Sequence, residues 1–148
     1  MTLLQQLTPD LVAAMKEKDA MRVGALRMLK AALANAEIAA RGSGKAWDDA
    51  MAIATAQRHA KQLRESMAEY RAGNREDLAA SAAAELAVVE RYLPAQLADD
   101  DIRKAIADVR ARTGASQMGA LMGAVMKELQ GKADGNTVRK LVEEALRG

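Results

Sequence analysis

The stretch "YLPAQLADDD", residues 92–101, joins a helix stop to a helix start. Pro94 has no amide proton and disfavours helical geometry in the residue before it, so the preceding apolar-periodic segment has to end by Leu93. Asp99, Asp100 and Asp101 then place negative charge where the first turn of a helix presents unpaired amides. Working outward from this boundary, the chain reads as all-α. A four-helix N-terminal domain, residues 1–93, is followed by a smaller three-helix C-terminal domain, residues 97–148.

Composition points the same way. Half of the 148 residues are apolar, yet there is no Phe, one Trp and two Tyr, so the core has to come from Ala, Leu, Val, Ile and nine Met. Such a mixture favours packed helices over sheets. Without Cys, and with His59 as the single histidine, neither disulfides nor a thiolate or histidine metal site is expected, and no cofactor is implied. The opening "MTLLQQLTPD" lacks a basic region ahead of an apolar core, and the longest uncharged run, Thr113 to Met126, is too short to span a bilayer. The expected location is cytoplasmic, with no membrane partner.

In the N-terminal group, Leu3, Leu7, Leu11 and Met15 form an apolar stripe on a first helix from Thr2 to Glu17. Pro9 implies either a helix that begins at Thr8 or a kink. A second helix, about 20–40, buries Leu26, Leu29, Leu33 and Ala36, and carries Arg27, Lys30, Glu37 and Arg41 on another face. The third, about 47–72, spaces Lys61, Arg64, Glu65 and Glu69 for pairing along its surface, and exposes His59. Gly73 is expected to end it and Asn74 to cap a fourth helix, whose inward positions are Leu78, Ala82, Leu86, Val89 and Leu93.

In the C-terminal group, Ile102, Ile106 and Val109 line one helix. Met118, Leu121, Met122, Val125 and Leu129 line the next, with Ser116 as its cap and the methionines as core filler. Val138, Leu141, Val142 and Ala145 line the last. Gly119 and Gly123, four apart, would let a neighbouring backbone approach closely.

The corner "LQGKADGNTVRKLV", residues 129–142, resembles a phosphate loop only superficially. The Walker pattern needs a glycine where Met126 stands and a Ser or Thr where Ala133 stands. Helix-end chemistry accounts for the same letters: Gly131 can adopt the left-handed conformation, and Asp134 can cap the following amides. Elsewhere Ser43, Ser66, Ser81 and Ser116 lack a neighbouring base, and consecutive aspartates at 99–101 point around a helix rather than at one ion. The charged triplet Arg75, Glu76 and Asp77 reads as a helix start. No catalytic constellation is visible, and the residues describe a non-catalytic helical binding module.

Net charge is +2, from 22 basic and 20 acidic residues, so total charge does not announce a nucleic-acid binder. Between Arg22 and Lys45, however, Arg22, Arg27, Lys30, Arg41 and Lys45 face only Glu37.

Four motifs occur in order: "LRMLKAAL" at 26–33, "EYRAGNREDLA" at 69–79, "ELAVVERYLPAQL" at 85–97 and "MGALMGAVMKELQGKADGNTV" at 118–138. Through them nearly the whole chain resembles the GatB/YqeY family, and its C-terminal part is similar to the tail domain of the B subunit of the tRNA-dependent amidotransferase. Gln117, Ala120 and Ala82 depart from the acidic, basic and glutamate residues common there. The resemblance implies an accessory role beside a carbon–nitrogen ligase that uses glutamine as nitrogen donor, with tRNA as partner and the active sites elsewhere. On that reading the expected RNA-binding residues are Lys132, Arg139 and Lys140, around the amides opening the last helix, together with Arg27 and Lys30. The alternative is a helical adaptor that docks on an amidotransferase subunit or another protein through exposed Met and Leu.

Overall fold

The computed structural model describes residues 2–129 and 131–147. Seven α-helices make up the described chain: α1 (Leu3–Lys16), α2 (Ala20–Gly42), α3 (Asp49–Ala72), α4 (Glu76–Glu90), α5 (Asp99–Thr113), α6 (Met118–Leu129) and α7 (Gly135–Arg147). Their contacts fall into two compact units, α1–α4 up to Leu93 and α5–α7 from Pro94.

In the first unit α1 opens with a reciprocal cap. The Thr2 hydroxyl accepts from the Gln5 amide at 3.2 Å and the Gln5 side chain accepts from the Thr2 amide at 2.9 Å. Thr8 is therefore not the cap, and Pro9 lies inside a continuous helix. The inward stripe is Leu3, Leu7 and Ala14, with Leu11 packed against it, while Met15 is 50% exposed. The cause is geometric: each four-residue step overshoots a full turn by about 40°, so three steps carry position 15 off the stripe on which position 14 stays.

α2 buries Ala25, Leu26, Leu29, Leu33 and Ala40, leaving Ala36 half-buried. α3 starts after the Asp48 cap, whose carboxylate accepts from the Met51 amide at 2.9 Å. Trp47 thus precedes the helix and packs on the core. Along α3 the expected surface pairing does not form; Arg64 instead reaches Glu90 of α4 at 3.0 Å. Asn74 is not a cap either. It takes the left-handed conformation (φ 59°), its amide donates to Arg71 and the Arg75 amide donates to Tyr70 at 2.7 Å, so Asn74 closes α3 while α4 starts without a side-chain cap. The interior of the α3–α4 hairpin is rich in alanine: Ala52, Ala56 and Ala60 from α3, and Ala79 and Ala82 beside Val88 and Val89 from α4. Leu78, Leu86 and Leu93 are only half-buried.

The second unit packs α5, α6 and α7 around Ile102, Ile106, Val109, Leu121, Val125, Leu129, Val138, Leu141 and Val142. Met118, Met122, Met126 and Ala145 pack against this core, as expected of filler. Gly114, left-handed at φ 69°, ends α5. The first turn of α6 bonds the Leu121 amide to the Gln117 carbonyl at 3.0 Å, which leaves Ser116 one residue too early to cap it. Gly119 and Gly123 are exposed, and a Cβ on either would meet open space. No backbone approaches them, because a two-residue offset from Leu121 and Val125 is about 200° of rotation and turns them outward.

Candidate functional site

The α6–α7 corner is built from both sides. Gly131 is left-handed at φ 82°, and the Lys132 amide donates to the Leu129 carbonyl at 3.0 Å. From the segment before α5, the Leu97 amide donates to the Lys132 carbonyl at 2.7 Å and the Gln96 side-chain amide to the Gly131 carbonyl at 3.1 Å. Ala133 is buried in the core, so its small apolar side chain is a packing requirement. Asp134 accepts from the Thr137 amide at 3.4 Å, the capping geometry its position implies. This is a helix corner pinned by the "PAQL" segment, with Lys132 exposed on it.

One turn into α7, Lys140 lines an open groove between α5 and α7, of about 470 Å³, with Asp99 and Arg103 from α5 and Thr137, Leu141, Glu144 and Arg147 from α7. Arg103 donates to Asp100 at 2.9 Å and to Glu144 at 3.5 Å. The Asp100 hydrogen bond, and then the Glu144 charge, raise its pKa, so the guanidinium is charged at any ordinary pH. Arg139 does not line this groove and pairs with Glu143 at 3.6 Å, which Arg147 also approaches at 3.9 Å. Arg112 ties α5 to α6, meeting Asp108 at 3.0 Å and Glu128 at 2.6 Å. In this unit the arginines at 103, 112, 139 and 147 are all matched by carboxylates. Lys132 and Lys140 have none within 4.0 Å among the described residues.

The expectation that grouped Lys132, Arg139 and Lys140 around the opening of α7 finds only Lys140 on the groove, and it missed Arg103, Thr137 and Arg147. Nothing within α5 alone indicates that Arg103 faces α7. Its i,i+3 relation to Asp100 was the one available signal.

The first unit holds the other two expected residues. Arg27 and Lys30 are exposed on α2. The basic run around them is thinner than its composition: Arg22 pairs with Glu17 at 3.0 Å and Arg41 with Glu37 at 2.6 Å, leaving Arg27, Lys30 and Lys45 without carboxylate partners among the described residues. Lys30 lines a groove of about 330 Å³ whose other charged residues are Glu37, Asp48 and Asp49. Asp49 is engaged there by the Leu3 amide at 2.8 Å. Three carboxylates make this groove a poor seat for phosphate.

His59, expected to be exposed, is half-buried. It stands three residues after Ala56 and four before Leu63, at the edge of the inward stripe of α3. Burial lowers its pKa, partly offset by Glu85 on α4. Arg75 chelates Asp77 with bonds of 3.1 and 3.0 Å, an exposed ion pair that needs no substrate. Among the described residues no group of three His, Asp or Glu could hold a metal ion, and no helix is long and apolar enough to cross a membrane. Among the described residues the exposed large apolar side chains, Leu4, Val12, Met15, Met21, Met28 and Ile38, all lie on α1 and α2.

The fungal protein named "Altered inheritance of mitochondria protein 41, mitochondrial", from Meyerozyma guilliermondii, is 30% identical over 152 residues, covering 98% of this chain and 76% of its own length. The family described as Yqey-like protein matches residues 4–146. Because that match takes in nearly the whole chain, the chain belongs to the YqeY-like family.

Proposed function

We propose that this chain is a tRNA-interacting accessory module, linked to glutamine-dependent amidation of charged tRNA and without an active site of its own. It acts in the cytoplasm on this reading; the fungal relative's name assigns that protein to mitochondria. The observation that carries the proposal is that Lys132, just before α7, and Lys140, in its second turn, have no carboxylate partner among the described residues, in a unit where Arg103, Arg112, Arg139 and Arg147 are held by carboxylates. Exposed ammonium groups without a carboxylate partner beside a helix N-terminus suit contacts with a phosphate backbone. Arg139 contributes less, being paired with Glu143. Of the α2 pair, Arg27 is the better contact, since Lys30 sits among carboxylates.

Filter binding of purified tRNA across a salt series tests the reading. Affinity is expected to fall linearly on a log–log plot, with a slope matching a few released counterions, roughly 0.9 per phosphate on a duplex region. No detectable binding at low salt would remove the RNA reading.

The exposed apolar side chains of α1 and α2 favour a second reading, a helical adaptor for an amidotransferase subunit or another protein. Met28, 58% exposed, and Ile38, 70% exposed, are its central residues. Met28→Lys and Ile38→Glu would abolish co-purification with such a subunit under this reading, and leave tRNA affinity unchanged.

A further inference from the structure

We infer that the groove between α5 and α7 seats one ribose–phosphate unit of an RNA backbone. The inference rests on the RNA reading above and gives it a contact site and a preference for RNA over DNA. At about 470 Å³ and open to solvent, the groove has room for a nucleotide-sized group.

Two kinds of lining group identify the occupant. The first is cationic: Lys140 has no carboxylate partner among the described residues, and two of the ion pairs made by the arginines of the groove are long. Arg103 meets Glu144 at 3.5 Å and Arg147 meets Glu143 at 3.9 Å, against 2.6 Å for Arg112 and Glu128 away from it. A phosphate entering here exchanges these long pairs for charge-assisted bonds, while Arg103 keeps its 2.9 Å pair with Asp100. The second kind is the acceptor set, Asp99 and the Thr137 hydroxyl. A carboxylate repels bare phosphate but accepts the hydrogen bond of a ribose 2′-hydroxyl, the group that separates RNA from DNA. A groove lined by Arg103, Lys140 and Arg147 together with a carboxylate and a hydroxyl matches a ribose phosphate better than an inorganic anion.

Glu144 then acts as an internal competitor for Arg103, which gives the inference an unusual sign. Glu144→Gln strengthens RNA binding, whereas Lys140→Gln and Arg147→Gln weaken it and each lowers the salt slope by about 1. Asp99→Ala leaves DNA binding unchanged and reduces the RNA-to-DNA preference.

The experiment uses the full chain and its four variants, with fluorescence anisotropy on tRNA, a labelled RNA 12-mer and the DNA strand of the same sequence. Ribose 5-phosphate is titrated in parallel, followed by amide NMR. The expected result is the pattern of signs above, with ribose 5-phosphate moving the Thr137 and Lys140 amides. If tRNA binds and the variants match the wild type, the groove is not the contact and the RNA reading stands. If tRNA does not bind but ribose 5-phosphate moves those amides, the groove is a ribose-phosphate site whose occupant is not RNA, and the RNA reading fails. If neither binds, both are overturned.

Discussion

The Tyr92 hydroxyl donates a 2.5 Å hydrogen bond to the Asp10 carboxylate, joining the chain just past α4 to the middle of α1. Burial, and then the bond to Asp10 and its charge, raise the Tyr92 pKa well above its ordinary value of 10.0. The hydroxyl is thus kept as a donor far into alkaline solution. Tyr92→Phe should cost about 1.5 kcal/mol, the low end for a bond to a charged acceptor because the site is only half-buried. The pH dependence has a definite sign. Ionisation above pH 10 is easier in the unfolded chain, so the contribution is fully present below that value and declines as pH rises above it. Urea midpoints of wild type and variant should differ by a constant amount from pH 7 to 9 and converge above 10. Parallel curves throughout would mean the bond does not form in solution.

Lys18 ends α1 in the left-handed conformation at φ 56°, its amide bonded to Met15 and the next amide, of Asp19, to Ala14. An L side chain there carries strain that glycine lacks. Lys18→Gly should raise stability by up to about 1 kcal/mol, even though glycine elsewhere is a liability. A lower melting temperature for the variant would show that the Lys18 side chain contributes more than its backbone costs.

Gly119 and Gly123 face outward into open space. Each replacement by Ala should stabilise α6 by about 0.5–1 kcal/mol. Thermal melts of the double variant check this. A variant that melts higher yet loses tRNA affinity would shift the contact surface to the outer face of α6.

Asp134 caps α7 through a long 3.4 Å bond. Asp134→Ala should cost about 0.5–1 kcal/mol and leave RNA affinity unchanged if the corner is structural. Tighter RNA binding in this variant would reveal phosphate at the same amides, because a repulsive charge has gone.

The two groups of helices should fold apart. Fragment 94–148 is expected to give a cooperative urea transition alone, and so is fragment 1–93. A fragment starting at 98 should be less stable than 94–148, since it lacks Gln96 and Leu97 and their bonds to Gly131 and Lys132. Failure of either unit to fold alone would make the helices one cooperative domain.

Helix number and order were legible because Pro94, the aspartates at 99–101 and the apolar spacing are local signals. What the sequence could not carry was orientation. A four-residue spacing from Leu3 to Met15 looks like a stripe but drifts off it, and Asn74 suits a cap or a left-handed closure equally well until the bonds from Asn74 and Arg75 decide. At the site, Lys140 was identifiable from its own helix. Arg103 became its neighbour only because α5 docks on α7, a relation between residues far apart in sequence that no periodicity encodes.

The bond from Leu97 to Lys132 also bears on the order of folding. It closes a loop that contains all of α5 and α6, and closure of so long a loop costs entropy before any local gain repays it. The helices themselves need no such closure and can form and pair early. The "PAQL" segment is therefore a late-forming clasp, and substitutions at Gln96 should speed unfolding while leaving the refolding rate nearly unchanged.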